Sequence, residues 1–150
     1  MKKICFLLFI FMLAGACSTI PVINPQKDME FILSAFNEKQ TDFLITQTAI
    51  PFLIDSEIIL QKSDIVYYWE SMVQIGPLEG YKIGPLTKLN TEDSYLYSDS
   101  LEVKLFFQKY LPKQAYLAVI ESYQGMFHMI IAYDKNNMPH IFGIRGPEHE

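Results

Sequence analysis

The residues able to carry chemistry are few and widely spaced. The three histidines are His128, His140 and His149. His128 alternates with Phe127 and Met129, so its imidazole belongs to one side of a strand. On a concave side it would be placed to act as a base, and on a wetted side it is an ordinary polar strand residue. His140 follows Pro139 at a turn exit, and His149 lies in a polar tail. No pair stands at metal-ligand spacing and no cysteine accompanies them, so neither a metal nor another cofactor is expected. A Gly-x-Ser-x-Gly elbow, a phosphate-binding loop and a dinucleotide fingerprint are all missing, and Gly143-Ile144-Arg145-Gly146 is too short to supply one. Tyr67, Tyr68 and Trp69 follow one another. On a helix they point about 100° apart, which predicts Trp69 in the core and leaves a neighbour to line a groove. Tyr95 and Tyr97 sit in a polar stretch, Asn90–Ser100, and read either as a contact surface or as ordinary loop tyrosines.

The two cysteines are both near the N-terminus. Met1-Lys2-Lys3 is a basic start, followed by the apolar run Ile4–Ala14. As a helix that run covers about 16 Å against a hydrocarbon core of about 30 Å, so residues 1–16 read as a signal peptide and not as a membrane span. Its end, Leu13-Ala14-Gly15-Ala16-Cys17-Ser18, resembles the lipobox of bacterial lipoproteins, with Ala14 where that family more often has Leu. The resemblance implies that Cys17 is lipidated on its thiol, that cleavage falls just before it, and that palmitate-type chains hold the protein to a membrane. Residues 17–24 would then be a lipidated tether. The alternative is ordinary cleavage after Ala14-Gly15-Ala16 and a soluble product. Cys5 would be discarded with the signal, which leaves Cys17 without an intramolecular disulfide partner. The expected location is exported and membrane-anchored, on a periplasmic or surface face.

The chain has 150 residues, of which 50% are hydrophobic and 19% charged, with a net charge of −5. Losing Lys2 and Lys3 with the signal would take that charge to −7. One acidic domain without a Lys/Arg cluster is a poor match for nucleic acid or for an anionic lipid surface.

Helices are expected first and strands last. Asn24-Pro25 opens a helix that the apolar spacing of Met29, Ile32, Leu33, Phe36, Phe43 and Leu44 carries to about Ile45. Pro51–Asp55 reads as a packed connection. Ser63 or Asp64 caps a second helix, which Gly76-Pro77 ends, and residues 81–89 form a short, irregular edge strand at best. Residues 101–111 fit either a strand or a helix. Ala115–Tyr123, Met126–Tyr133 and His140–Ile144 are strands joined at Gln124-Gly125 and Asp134–Asn137. The result is an α+β fold: N-terminal helices packed on a curved C-terminal antiparallel sheet, a cone-like roll over residues 25–146, with 147–150 as a polar tail.

This order, with Pro51–Asp55, the helix carrying Tyr68-Trp69 and the last hairpin Ile131–Ile141, resembles the nuclear transport factor 2-like superfamily, in which Asn136-Asn137 here replaces the usual turn glycine. That superfamily includes isomerases and cyclases as well as binding modules. An isomerase-like mechanism would need an acidic base, for which Asp55 and Asp64 are candidates, and a buried phenol, from Tyr67, Tyr68, Tyr116 or Tyr123. Asp64 reads better as a cap and Asp55 as a turn residue, so no catalytic residue is assigned. Asp55, Tyr68, Trp69, Tyr116 and His128 are carried as the candidate pocket.

The expectation is a lipid-anchored bacterial envelope protein with a non-catalytic domain that binds a small apolar ligand or an envelope protein. The alternatives are an anchored isomerase- or cyclase-like enzyme acting on a small apolar substrate, and an assembly role in an envelope complex.

Overall fold

The computed structural model describes residues 22–148. Asn24 caps helix α1 (Pro25–Asn37), its side-chain oxygen accepting from the Lys27 N–H at 3.2 Å, as the sequence predicts. The single long helix expected to reach Ile45 is instead two. Lys39 takes a left-handed φ of 58°, and the Glu38 and Gln40 N–H groups bond back to Ser34 and Ala35. These bonds satisfy the last carbonyls of α1 and turn the chain into α2 (Thr41–Gln47). The apolar period survives the turn, which is why it read as continuous.

Pro51–Asp55 is not a connection. It lies mostly within strand β1 (Thr48–Ile54), which turns at Asp55-Ser56 into β2 (Glu57–Ile59). Helix α3 (Lys62–Ile75) follows. Neither Ser63 nor Asp64 caps it, because the cap is Gln61, two residues before Ser63. The Ser63 hydroxyl donates to the Asp64 carboxylate instead, which sits in the first turn where the helix dipole favours negative charge. The 81–89 segment contains two short strands, β3 (Lys82–Ile83) and β4 (Thr87–Lys88). Asn90–Ser100 is ordered by a 3₁₀ helix (Thr91–Leu96) with a reciprocal Asn90/Asp93 capping box. Residues 101–111 resolve as helix α4 (Leu101–Lys109), with Ser100 accepting from the Val103 N–H. Strands β5 (Ala115–Ser122), β6 (Gly125–Tyr133) and β7 (Pro139–Glu148) complete the chain. Beyond residue 146 the strand continues, since Met126 pairs with Glu148.

The sheet runs β2-β1-β7-β6-β5-β3, with β4 also on β5. It is mixed and not purely antiparallel or C-terminal, because β1 lies parallel to β7. That register shifts between Thr48 and Leu53, where Pro51 has no N–H for the ladder. Gly143 lets the two strands approach: a Cβ there would stand 3.1 Å from the Leu53 carbonyl oxygen.

Both faces of the sheet are covered. Phe127, Met129 and Ile131 of β6 join Ala118, Ile120 and Phe52 against Met29, Ile32, Leu33 and Phe36 of α1 and Ile65 and Trp69 of α3. The intervening residues Ile130 and Ala132 join Leu117 and Leu53 against Val103, Phe106 and Phe107 of α4 and Tyr97. The period-two alternation of β6 therefore divides its residues between two cores. Among the described residues, no helix is long and apolar enough to cross a membrane.

Buried Thr48 joins three elements. Its hydroxyl donates to the Leu44 carbonyl at 2.7 Å and accepts the Trp69 indole N–H at 2.8 Å. Thr48→Val keeps the volume and strands the indole donor in the core. The expected loss is about 1–3 kcal/mol, read as a lower urea midpoint with an unchanged slope.

Candidate functional site

The structure brings Asp55, Tyr68 and Trp69 near one another, reaches the His128 main chain through Tyr97, and leaves Tyr116 apart. Tyr68, Trp69 and Tyr116 belong to the α1/α3 face. His128 alternates with Phe127 and Met129, so it lies on the opposite face, the one beneath the 3₁₀ helix and α4. Asp55 stands at the rim, in the β1–β2 turn.

Asp55, Tyr68, Trp69 and Tyr116 each have structural work. Asp55 holds a left-handed φ of 51°, a conformation that Asp tolerates better than most residues. Its N–H donates to the Ile144 carbonyl at 2.8 Å, and its carboxylate accepts from the Gly146 N–H at 3.0 Å. The turn is thereby fastened to β7, as a turn residue and not as a base poised in a cavity. The Tyr68 ring meets Phe52 and Trp69 edge-on, with centroids 5.9 and 5.3 Å away. Burial, and then the Asp55 charge, push the Tyr68 phenol well above its ordinary pKa, so it stays protonated. Trp69 is 1% exposed and confirms the core expectation. Tyr67 and Tyr123 are exposed.

Tyr116 packs edge-on to Tyr133, whose hydroxyl donates to the Asp28 carboxylate of α1 at 2.5 Å. This pair lies at the other end of the sheet from Asp55 and His128. Tyr133 is opposite Pro139 and His128 is opposite Arg145, which places the two sites six residues apart on β7, about 20 Å. Burial first, and then the bond to Asp28, raise the Tyr133 phenol well above the ordinary range.

Two further groups meet at the Asp55 rim: Tyr97, expected only as a loop tyrosine or contact residue, and Arg145, to which sequence reasoning assigned no role. The Tyr97 hydroxyl donates to the His128 backbone carbonyl at 3.2 Å, and the Arg145 guanidinium donates to the Leu96 carbonyl. Together they staple the 3₁₀ helix onto β6 and β7. Tyr97 is 5% exposed, against the expectation of a surface loop, while Tyr95 is 61% exposed. Burial raises the Tyr97 phenol; Arg145 pulls it partly down, and Tyr68 and Asp55 push it up. Arg145 is the sole arginine of the chain, and that scarcity was the available signal. The Asn90…Asp93 capping box was the signal that the loop was ordered.

A void on the α1/α3 face, lined by Phe36, Met72, Leu78, Gln124 and Phe127, holds about 40 Å³. Ligand sites usually measure about 300–1,000 Å³, so this one suits a water or two. His140 lies 3.9 Å from Asp134, whose carboxylate is held below its ordinary pKa by the Met138 and Asn136 N–H groups and by His140. Among the described residues, no three His, Cys, Asp or Glu side chains converge as metal ligands. Cys17 and His149 lie outside the described residues.

No family model matches the chain, and no curated protein matches its sequence. Among solved structures, the chain is similar to a DUF4783 family protein from Bacteroides ovatus, with 10% identity, a TM-score of 0.46 and coverage of 79% of this chain and 94% of that one. It is also similar to an NTF-2-like protein of unknown function from Pseudomonas aeruginosa, with 12% identity, a TM-score of 0.41 and coverage of 80% and 94%.

Two outcomes follow from these geometries. Asp55→Asn keeps the left-handed turn and its acceptor and should be nearly neutral, whereas Asp55→Ala should cost about 1–2 kcal/mol in urea unfolding. The raised phenols of Tyr68, Tyr97 and Tyr133 stabilise the fold fully below pH about 10, the unfolded tyrosine value, and that contribution is lost as pH rises above it. The urea midpoint should therefore fall as pH rises above about 10, and fall less steeply in Tyr97→Phe.

Proposed function

We propose that this is a lipid-anchored envelope protein whose folded part is a non-catalytic interaction module. The observation that supports the non-catalytic half is the use made of four buried or rim polar groups, two of them candidates. The Asp55 carboxylate, the Tyr97 and Tyr133 hydroxyls and the Trp69 indole each hold two elements of the fold together. The anchoring half rests on Leu13–Ser18 and on a folded part that follows closely, with α1 starting at Pro25. A tether from Cys17 to Asn24 reaches at most about 28 Å, which keeps the domain beside its membrane. Open concavities of about 610 Å³ between α2 and α3 and about 270 Å³ beside α1 offer surface on which a small apolar ligand or an envelope protein would bind.

The experiment is palmitate labelling and membrane fractionation of the full-length protein and of Cys17→Ser. The expected result is label and membrane association in the wild type, and unlabelled, uncleaved precursor in the variant. Unchanged fractionation of the variant sinks the anchor, and turnover of a small substrate that disappears in His128→Ala or Asp55→Asn sinks the non-catalytic reading.

A further inference from the structure

A groove of about 270 Å³ opens beside the start of α1, lined by Val22, Phe31, Ile32, Phe43, Met138 and Pro139. Gln47 and Asn137 complete the lining, and the apolar part of the rim is wet: Val22 is 92% exposed, Phe31 58% and Met138 45%. The Phe31 and Phe43 rings meet edge-on at 5.2 Å, so the floor is set by packing between α1 and α2. Asp28, the carboxylate that also lines it, accepts the Tyr133 hydroxyl. Other exposed apolar residues, such as Tyr123 and Leu101, do not line this groove.

We propose that this groove is a membrane-contact face that seats in the lipid interface beneath the anchor, an inference that rests on the lipidation of Cys17. The argument is one of reach. Val22 is itself a lining residue and stands five residues after Cys17, so its Cα lies at most about 18 Å from that of the lipidated residue. A globule of this size is about 35 Å across, twice the reach of the tether. The face bearing Val22 is thus the one held toward the bilayer, and it presents Phe31 and Met138 there. Amphipathic surfaces insert such side chains at the headgroup–acyl boundary. The chain is acidic overall, so the contact depends on apolar insertion and not on anionic lipid.

The test uses the full processed protein reconstituted into phosphatidylcholine vesicles with brominated acyl chains, in two variants. Phe31→Trp places a reporter at the groove. Tyr123→Trp places one at the β5–β6 turn, at the far end of β6, about 26 Å along the strand. Trp69 is buried and gives a constant background. The expected result is at least twofold quenching of Phe31→Trp and little quenching of Tyr123→Trp, unchanged by adding phosphatidylglycerol. Equal quenching of the two in vesicles that still carry the protein overturns the contact face and leaves the anchor standing. Failure of the protein to float with vesicles overturns the anchor, and this inference with it. A concentration-dependent dimer lost in Phe31→Ser, without quenching, assigns the groove to a second copy instead.

Discussion

One hydroxyl ties the two halves of this fold together. Thr48 is the last place where the chain behaves as helix, since its side chain donates to a carbonyl one turn back in α2, and the first where it behaves as strand, since its backbone is in register with Ile141 of β7. The same oxygen receives the only indole of the protein. α2, β1, α3 and the last strand therefore share a single buried point, and none of the four can shift without leaving a donor or an acceptor unpaired in a dry interior. The double use matters because Trp69 packs against both Phe36 and Phe52, so its position sets the spacing of α1 from the sheet.

The sheet it supports is covered on both faces, and this decides what the protein's polar groups are free to do. Here α4 and the 3₁₀ helix close the second face, with Tyr97 and Arg145 bonded to main-chain oxygens of β6 and the Thr91–Leu96 turn. On the first face, large side chains such as Trp69, Phe52 and Met29 are fully buried against the sheet. Of the apolar side chains that face outward, Val22, Phe31 and Met138 are gathered around one concavity.

Much of this arrangement was legible in the residues. Asn24-Pro25 announced the first helix, the C-terminal alternation announced three strands, and the turn at Asp134–Asn137 works because Asn137 takes a φ of 59° that Asn tolerates. The α+β class followed from that order. Tertiary pairing hid the rest. Thr48–Ile54 contains a proline and no clean alternation, because β1 is buried on both sides and bulged, and nothing local reveals that its partner lies some ninety residues away. Leu101–Lys109 has a strand-like alternation that the Ser100 cap and the packing of Phe106 and Phe107 override. The candidate residues were chosen one by one for their chemistry. Whether they meet depends on which face each strand residue takes and where along β7 each partner falls, and neither is written in local spacing.

The parallel seat of β1 on β7 also fixes when the molecule can close. Synthesis runs from the N-terminus, so β1 and β2 emerge long before Gly143 and Ile144 exist to pair with them. Until then they form a two-stranded ribbon with an open edge, which is marginal in water on its own. The contact that completes the sheet is among the longest-range in the chain and waits for nearly the last residues to appear. A chain built this way completes its sheet only when nearly all of it is available.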